Sequence, residues 1–242
     1  MLLHRACKSA VCGLNAWRPE HPLTQAVMIQ LTRSSTICTY SPEELDDLRQ
    51  LFDRQHCVRL PQLLEPSLLQ FIQRQIEQTA FDEFTDVNAE TGQPWGLEWR
   101  LRRGTSWGLL HLLANDPRLF QIIRQITGCA PIGCFSGRVY RVVPGHNHYD
   151  SWHDDCSDHR MIAMSVNLSR EIYSGGVLQL RNVSSGEVIH EVANTGFGDA
   201  IIFRIDDSLE HRLTDIAGTY AKTAFAGWFC SQPNFIDMLP KK

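Results

Sequence analysis

Two His-x-Asp triplets lie close together in the chain, His148-Tyr149-Asp150 and His153-Asp154-Asp155. An imidazole nitrogen and a carboxylate oxygen are both donors for a divalent transition metal. On an extended segment residues i and i+2 point the same way, so either triplet can offer one nitrogen and one oxygen to a single ion. Ten His and fifteen Asp in 242 residues produce about 0.6 such triplets by chance, so a triplet alone is better read as a pair of surface groups until context is added. A third donor is needed for a facial triad with open positions, the arrangement suited to non-haem Fe(II). His211, in "SLEHRLTD", is the candidate. If that stretch is a strand, Leu209, His211 and Leu213 share one face and Glu210, Arg212 and Thr214 the other. An inward histidine there is either a hydrogen-bonded core residue or a ligand. The interval from His153 holds strand-like runs at 161–169, 176–182, 187–193 and 199–205, so four strands lead back to a fifth carrying His211.

A second chemical signal stands in "KTAFAGWF". Lys222, Ala224, Ala226 and Trp228 alternate with Thr223, Phe225, Gly227 and Phe229. Two alanines leave room for a ligand, and a lysine buried beside them requires an anionic partner. The plain alternative is a lysine pointing to solvent where the strand begins.

These residues must be positioned by a scaffold. "SPEELDDLRQLFDRQ" places Ser41 at an N-cap, Pro42 at N1 and acids in the first turn, which predicts a helix. A short strand follows from Cys57. "EPSLLQFIQRQIEQTAF" repeats Leu68, Leu69, Ile72 and Ile76 at helical spacing. Residues 82–103 read as irregular, and "SWGLLHLLANDPRLFQIIRQITG" as a further pair of helical segments ended by Gly128. From Gly133 onward short strand-like runs alternate with Gly, Pro and Ser breaks every 8–12 residues or so, the pattern of an all-β sandwich or barrel. The fold expected is mainly β with N-terminal helices (α+β): a double-stranded β-helix, or cupin-like jelly roll, packed against helices. Residues 1–40 are expected to be a flexible basic extension and 41–242 a single domain, with a helical layer at 41–130 and the jelly-roll core at 131–230.

Bulk properties narrow the class. The net charge is -4, which gives no reason to expect a nucleic-acid partner. No apolar run approaches the roughly 18 residues of a membrane span. The eight cysteines form no Cys-x-x-Cys pair, which argues against a zinc ribbon and for reduced thiols in the cytoplasm. The first forty residues carry Arg5, Lys8, Arg18 and Arg33 against one acid, Glu20, so an organelle-targeting segment is the alternative to a plain extension.

Taken in order, "WHDD" with Arg160 after it, "SVNLS", "SGGVLQL", "GDAIIFR", "EHRLT" and "KTAFAGWF" resemble the Fe(II)/2-oxoglutarate-dependent oxygenases, particularly their prolyl-hydroxylase-like branch. The resemblance spans roughly residues 133–230. It implies a dioxygenase that uses Fe(II), 2-oxoglutarate and O2 and hydroxylates an unactivated C–H bond of a protein side chain or small metabolite, releasing succinate and CO2. In that family a basic residue less than ten positions after the His-x-Asp begins the next strand. Arg160 is seven after His153 and twelve after His148, so the resemblance selects His153, Asp155 and His211 as metal ligands. It leaves His148 and Asp150 on the approach loop, with Asp154 turned away. Lys222, eleven after His211, is then the cation for the C5 carboxylate of 2-oxoglutarate. Halogenating relatives replace the carboxylate with a small residue; Asp155 is intact. Where some relatives have a tyrosine that touches the cosubstrate, this chain has Asn167, and Tyr140 is the other candidate for that contact. Trp152, Arg102 and Trp107 are candidates on the substrate side, weighed against solvated charge and core packing. The alternatives to the oxygenase are a cupin-like metal-binding protein and a catalytically silent sensor, neither using 2-oxoglutarate.

Overall fold

Helix boundaries follow from local chemistry. A computed structural model describes residues 28–88, 91–156, 159–193 and 196–232. Helix α1 (Pro42–Gln55) opens on a capping box: the Glu44 amide donates to Ser41 Oγ at 3.2 Å and the Ser41 amide to the Glu44 carboxylate at 2.8 Å. Helix α2 (Pro66–Glu77) buries Leu68, Leu69, Ile72 and Ile76 along one stripe. Helices α3 (Thr105–Ala114) and α4 (Pro117–Thr127) follow, α4 capped by Asp116 and stopped by Gly128 at φ +65°, a left-handed cap that favours glycine.

The strands are, in chain order, β1 (Ile29–Leu31), β2 (Thr36–Cys38), β3 (Cys57–Leu60), β4 (Phe81–Val87), β5 (Pro94–Leu101), β6 (Cys134–Val142), β7 (Tyr149–Asp150), β8 (Arg160–Asn167), β9 (Ser174–Gly175), β10 (Leu178–Asn182), β11 (Val188–Val192), β12 (Ala200–Arg204), β13 (Leu209–Leu213), β14 (Ile216–Ala217) and β15 (Lys222–Cys230). The major sheet runs β3-β12-β8-β15-β6-β5-β4, with β7 also paired to β5. The minor sheet runs β11-β10-β13, beside the short pair β14-β9. From β8 to β15 the chain passes back and forth between the two sheets, with β10 and β11 forming a hairpin in the minor one, which winds the double-stranded β-helix.

Alternation on β15 divides the interior. Phe225 and Phe229 face outward from the barrel and meet Phe135, with ring centroids 5.4 and 4.8 Å apart, in the core shared with Leu68, Ile72 and Ile123 of the helices. Each buried phenylalanine contributes about 1.5–3 kcal/mol of apolar burial. A second apolar cluster, built by Ala163, Leu178, Leu180, Ile201 and Phe203, lines the barrel interior.

Two features differ from the sequence expectation. The boundary at residue 40 falls within packed structure. Among residues 28–40, β1 and β2 pair with each other, Ile29 and Leu31 are buried in the main core, and the Leu31 amide donates to the Leu63 carbonyl at 2.6 Å. Short apolar strands next to a basic stretch carry no period long enough to show. Residues 1–27 lie outside the described part of the chain. Second, the stretch read as irregular is the β4–β5 hairpin, which adds two strands to the segment expected to be mainly helical, whereas β3 is the short strand expected from Cys57. On the edge strand β4 the exposed residues are mostly polar and cross-strand ion pairs replace apolar alternation: Arg102 with Asp82 and Arg100 with Asp86.

Candidate metal centre

His211 sits in the middle of β13, opposite Leu180 of β10. His153 lies outside any named strand but forms an isolated antiparallel bridge with His211. Reciprocal backbone hydrogen bonds thereby bring the two imidazoles together, with ring centroids 4.2 Å apart. Asp155 completes the cluster. Its Oδ2 lies 3.2 Å from His211 Nε2 and 3.8 Å from His153 Nε2, and one donor atom from each of the three residues lies within 4.8 Å of the others. The segment is not the extended strand expected. Asp155 has φ +60°, a left-handed turn that aspartate tolerates better than most residues, and this turn carries the carboxylate back over the histidines.

The surroundings fit a metal ligand set. The Ser151 carbonyl lies 2.7 Å from His153 Nδ1, which directs Nε2 to the cluster. Burial, then the neighbouring His211, lowers the His153 pKa and favours the neutral ring that binds metal. Burial alone raises the pKa of Asp155, but the His211 hydrogen bond and the charges of His211, His153 and Arg160 outweigh it and hold the group far below the usual carboxylate range. Trp228 Nε1 donates to Asp155 Oδ2 at 2.8 Å, Arg160 donates to Oδ1 at 3.2 Å, and the Arg160 guanidinium stacks 3.6 Å over the Trp228 ring. Two imidazole nitrogens and one carboxylate oxygen converging on one side are the donors non-haem Fe(II) takes.

His148 is not part of the cluster. It is buried, its Nδ1 accepts the Val143 amide at 3.0 Å, and its ring packs edge-on to Trp99. Asp150, expected on the approach loop, lies in β7 at the rim of the centre. Its Oδ2 accepts the Leu213 amide at 2.9 Å and its Oδ1 stands 3.6 Å from His153 Nδ1. Asp154 is exposed and accepts the Cys156 amide, turned from the cluster as expected.

Lys222 is only 1% exposed. Its Nζ stands 5.9 Å from the Tyr140 ring centroid, and no carboxylate among the described residues lies within ion-pair distance. Burial lowers its pKa to about 8 against the weaker pull of Asp150 and Glu98. The double-glycine turn makes room for its stem: a Cβ on Gly176 would lie 2.5 Å from Ile216 Cδ1 and 3.3 Å from Lys222 Cδ. Tyr140 lines the cavity that contains the triad. Asn167 does not line it; its amide donates to the Gly196 carbonyl at 3.1 Å and accepts the Ser169 amide at 3.0 Å. Of the two candidates for a second cosubstrate contact, the cavity holds Tyr140.

None of the three residues named for the substrate side lines that cavity. Trp152 packs against the guanidinium groups of Arg181 and Arg212, 4.3 and 4.5 Å from its ring centroid. Arg102 is exposed and paired with Asp82 across the β4–β5 hairpin. Trp107, on α3, packs on His111 at 4.1 Å. The cavity, of about 100 Å³, is instead lined by Glu98, Arg138, Ser165 and Phe203 beside the triad. Arg138 and Ser165 lie on strands expected from the sequence, but only the pairing of those strands reveals which residues share a row. Glu98 lies on the hairpin that carried no periodic signal.

Comparison with known proteins agrees with this geometry. Residues 137–230 match the model of the 2OG-Fe(II) oxygenase superfamily. No curated protein matches the chain. Among solved structures, the fold is similar to an oxidoreductase of the 2OG-Fe(II) oxygenase family from Burkholderia pseudomallei (TM-score 0.59, 14% identity, 78% of this chain and 91% of that one). It is also similar to a prolyl hydroxylase from Trichoplax adhaerens in complex with a peptide fragment of hypoxia inducible factor (TM-score 0.54, 16% identity, 80% and 94%). A third similar structure is the non-haem alpha-ketoglutarate-dependent epimerase SnoN from nogalamycin biosynthesis (TM-score 0.58, 13% identity, 82% and 89%). The stretch that matches the 2OG-Fe(II) oxygenase superfamily model, residues 137–230, holds the double-stranded β-helix and the His-Asp-His donor set, and in both it resembles that superfamily.

Proposed function

We propose that the protein is an Fe(II)- and 2-oxoglutarate-dependent dioxygenase that hydroxylates a C–H bond of a protein side chain or small metabolite. The observation that carries the reading is the placement of two unlike sites in one barrel: a three-donor cluster at one end, and at the other end of β15 a buried cation with no carboxylate at ion-pair distance among the described residues. Bound there, Fe(II) and 2-oxoglutarate supply an O2-dependent oxidation coupled to release of succinate and CO2.

The chain's own residues supply positioning. His153, Asp155 and His211 would hold the ion on one side and leave the cavity side open. Trp228 and Arg160 fix the carboxylate so that one oxygen faces the histidines. Lys222 would meet the C5 carboxylate, a charge-assisted contact in a site largely screened from water. Tyr140, beside it, supplies a ring wall and a hydroxyl. Among the described residues no helix is long and apolar enough to cross a membrane. The described cysteines are all free thiols, which supports a cytoplasmic setting. The structural neighbours include one with a peptide and one from a small-molecule pathway, and both substrate classes stay within the proposal.

The test is an anaerobic titration of the Fe(II) form with 2-oxoglutarate, followed by admission of O2. The expected results are a weak visible charge-transfer band and then succinate. Metal binding without the band or succinate would point to the cupin-like alternative.

A further inference from the structure

The register of the major sheet lays out the barrel floor in rows. Residues directly opposite on paired strands share a face. Ala224 lies opposite Tyr140, Ala226 opposite Arg138, and Trp228 opposite Ser136 on β6. On the other side, Ala226 lies opposite Ser165 of β8 and Trp228 opposite Ala163. One row is therefore Arg138–Ala226–Ser165. It stands between the row of Tyr140, next to Lys222, and the row of Trp228, which holds Asp155.

Both polar members of that row have hydrogen-bonding capacity left. Glu98 takes the Nε and Nη2 side of Arg138, with Nη2 to Oε2 at 3.2 Å, and no acceptor among the described residues meets Nη1. Glu98 is buried and is itself held by Arg100 at 2.6 Å, so Arg138 is fixed in place. The guanidinium carbon stands 5.5 Å from the Tyr140 ring and 5.6 Å from the Trp228 ring, between the two ends of the floor. The hydroxyl of Ser165 is buried and has no hydrogen-bond partner among the described residues. A buried hydroxyl left unsatisfied is costly, and a bound ligand group is one way to satisfy it. A fixed guanidinium edge and an unsatisfied hydroxyl, flanking an alanine that leaves space between them, are donors arranged for one anionic group.

We propose that Arg138 and Ser165 bind the C1 carboxylate of 2-oxoglutarate, so that the cosubstrate lies along β15 with Lys222 at its C5 end and this row at its 2-oxo end. Arg138 is held by Glu98 and offers its Nη1 edge as a hydrogen-bond donor to the C1 carboxylate, while Lys222 supplies the cation for the C5 end. The inference rests on the oxygenase reading and assigns the cosubstrate's second anchor within it.

The test measures dissociation constants by calorimetry on the full chain, both metal-free and loaded with Mn(II), so the result does not depend on turnover. The probes are 2-oxoglutarate and levulinate, which has a methyl group in place of the C1 carboxylate. Arg138→Met is expected to weaken 2-oxoglutarate at least about tenfold and Ser165→Ala about fivefold, the loss typical of one hydrogen bond. Levulinate binding should change less than about twofold in both. Lys222→Ala should weaken both probes. If Arg138→Met and Ser165→Ala leave 2-oxoglutarate within twofold while Lys222→Ala weakens it, this inference falls and the oxygenase reading stands. If all three leave it unchanged, both fall. Equal losses for both probes in Arg138→Met and Ser165→Ala would mean general damage to the site and would also overturn the assignment. Should Arg138→Met not fold, Arg138→Lys and Ser165→Ala decide: Arg138→Lys keeps the charge and loses the planar fork, so it must weaken 2-oxoglutarate but not levulinate.

Discussion

His153 and His211 stand 58 positions apart in the chain and exchange both backbone hydrogen bonds, at 3.1 and 2.8 Å. The two imidazoles therefore owe their separation to a main-chain bridge, which preforms two of the three donors. His153→Ala and His211→Ala should each abolish tight binding of Fe(II) or Mn(II), measured as metal per chain after dialysis. His148→Ala should keep one ion per chain, although it leaves the Val143 amide without its acceptor. Loss of metal in His148→Ala with retention in His153→Ala would reverse the assignment.

The carboxylate offers a graded series. Asp155→Ala should suppress both metal binding and oxoglutarate-dependent turnover, whereas Asp154→Ala should keep most of both. Trp228→Phe removes one donor from Asp155 Oδ2 and keeps the ring that Arg160 covers. Loss of such an outer contact usually costs about 10- to 100-fold in metal affinity. A competition titration against a chelator reads this directly, and an unchanged affinity would mean that the Trp228 bond does not orient the ligand.

Lys222→Ala leaves an anion unpaired in a desolvated pocket, a loss of about 2–5 kcal/mol for a buried charge pair. The 2-oxoglutarate dissociation constant should rise about thirtyfold or more, at about 1.4 kcal/mol per tenfold, with metal affinity little changed. Equal oxoglutarate affinity in wild type and variant would remove Lys222 from the site.

The same lysine gives a pH signature. Burial holds its pKa near 8 in the cosubstrate-free protein. An unfolded chain keeps lysine protonated to about pH 10.4. Between those values the unfolded state holds the extra proton, so this group makes the folded protein more stable as pH rises from about 8 to 10.4, and its full penalty applies below that window. Affinity for 2-oxoglutarate runs the opposite way, because binding needs the cation: it should be level below pH 8 and fall above it. Titrations at pH 7, 8 and 9 should show this decline in wild type and its absence in Lys222→Ala.

The N-terminal strands make a prediction about stability. Leu31 is buried in the main core, and Leu31→Ala should cost about 2–5 kcal/mol, read as a lower urea midpoint. A floppy extension would give no shift.

Local elements and the identity of the chemical groups were legible in the residues alone. Ser41, Pro42 and Glu44 specify α1 because a helix start is a matter of four residues. Four of the five strands between His153 and His211 were legible because alternation and Gly breaks are short-range signals: β8, β10, β11 and β12 lie within a few residues of the spans read from them, and the two-residue β9 was not read. Resemblance to a family then chose one of two triplets that spacing left equivalent. Tertiary structure decided the rest. The left-handed turn at Asp155, the bond from Trp228 and the row of Arg138 and Ser165 depend on strand register, which joins residues distant in sequence. The β4–β5 hairpin, stabilised by ion pairs such as Arg100 with Asp86 in place of an apolar face, carries no period that marks it as strand. Trp152, Arg102 and Trp107 looked apt for a substrate by residue type, but tertiary contacts hold them elsewhere: Trp152 against Arg181 and Arg212, Arg102 on Asp82, and Trp107 on His111.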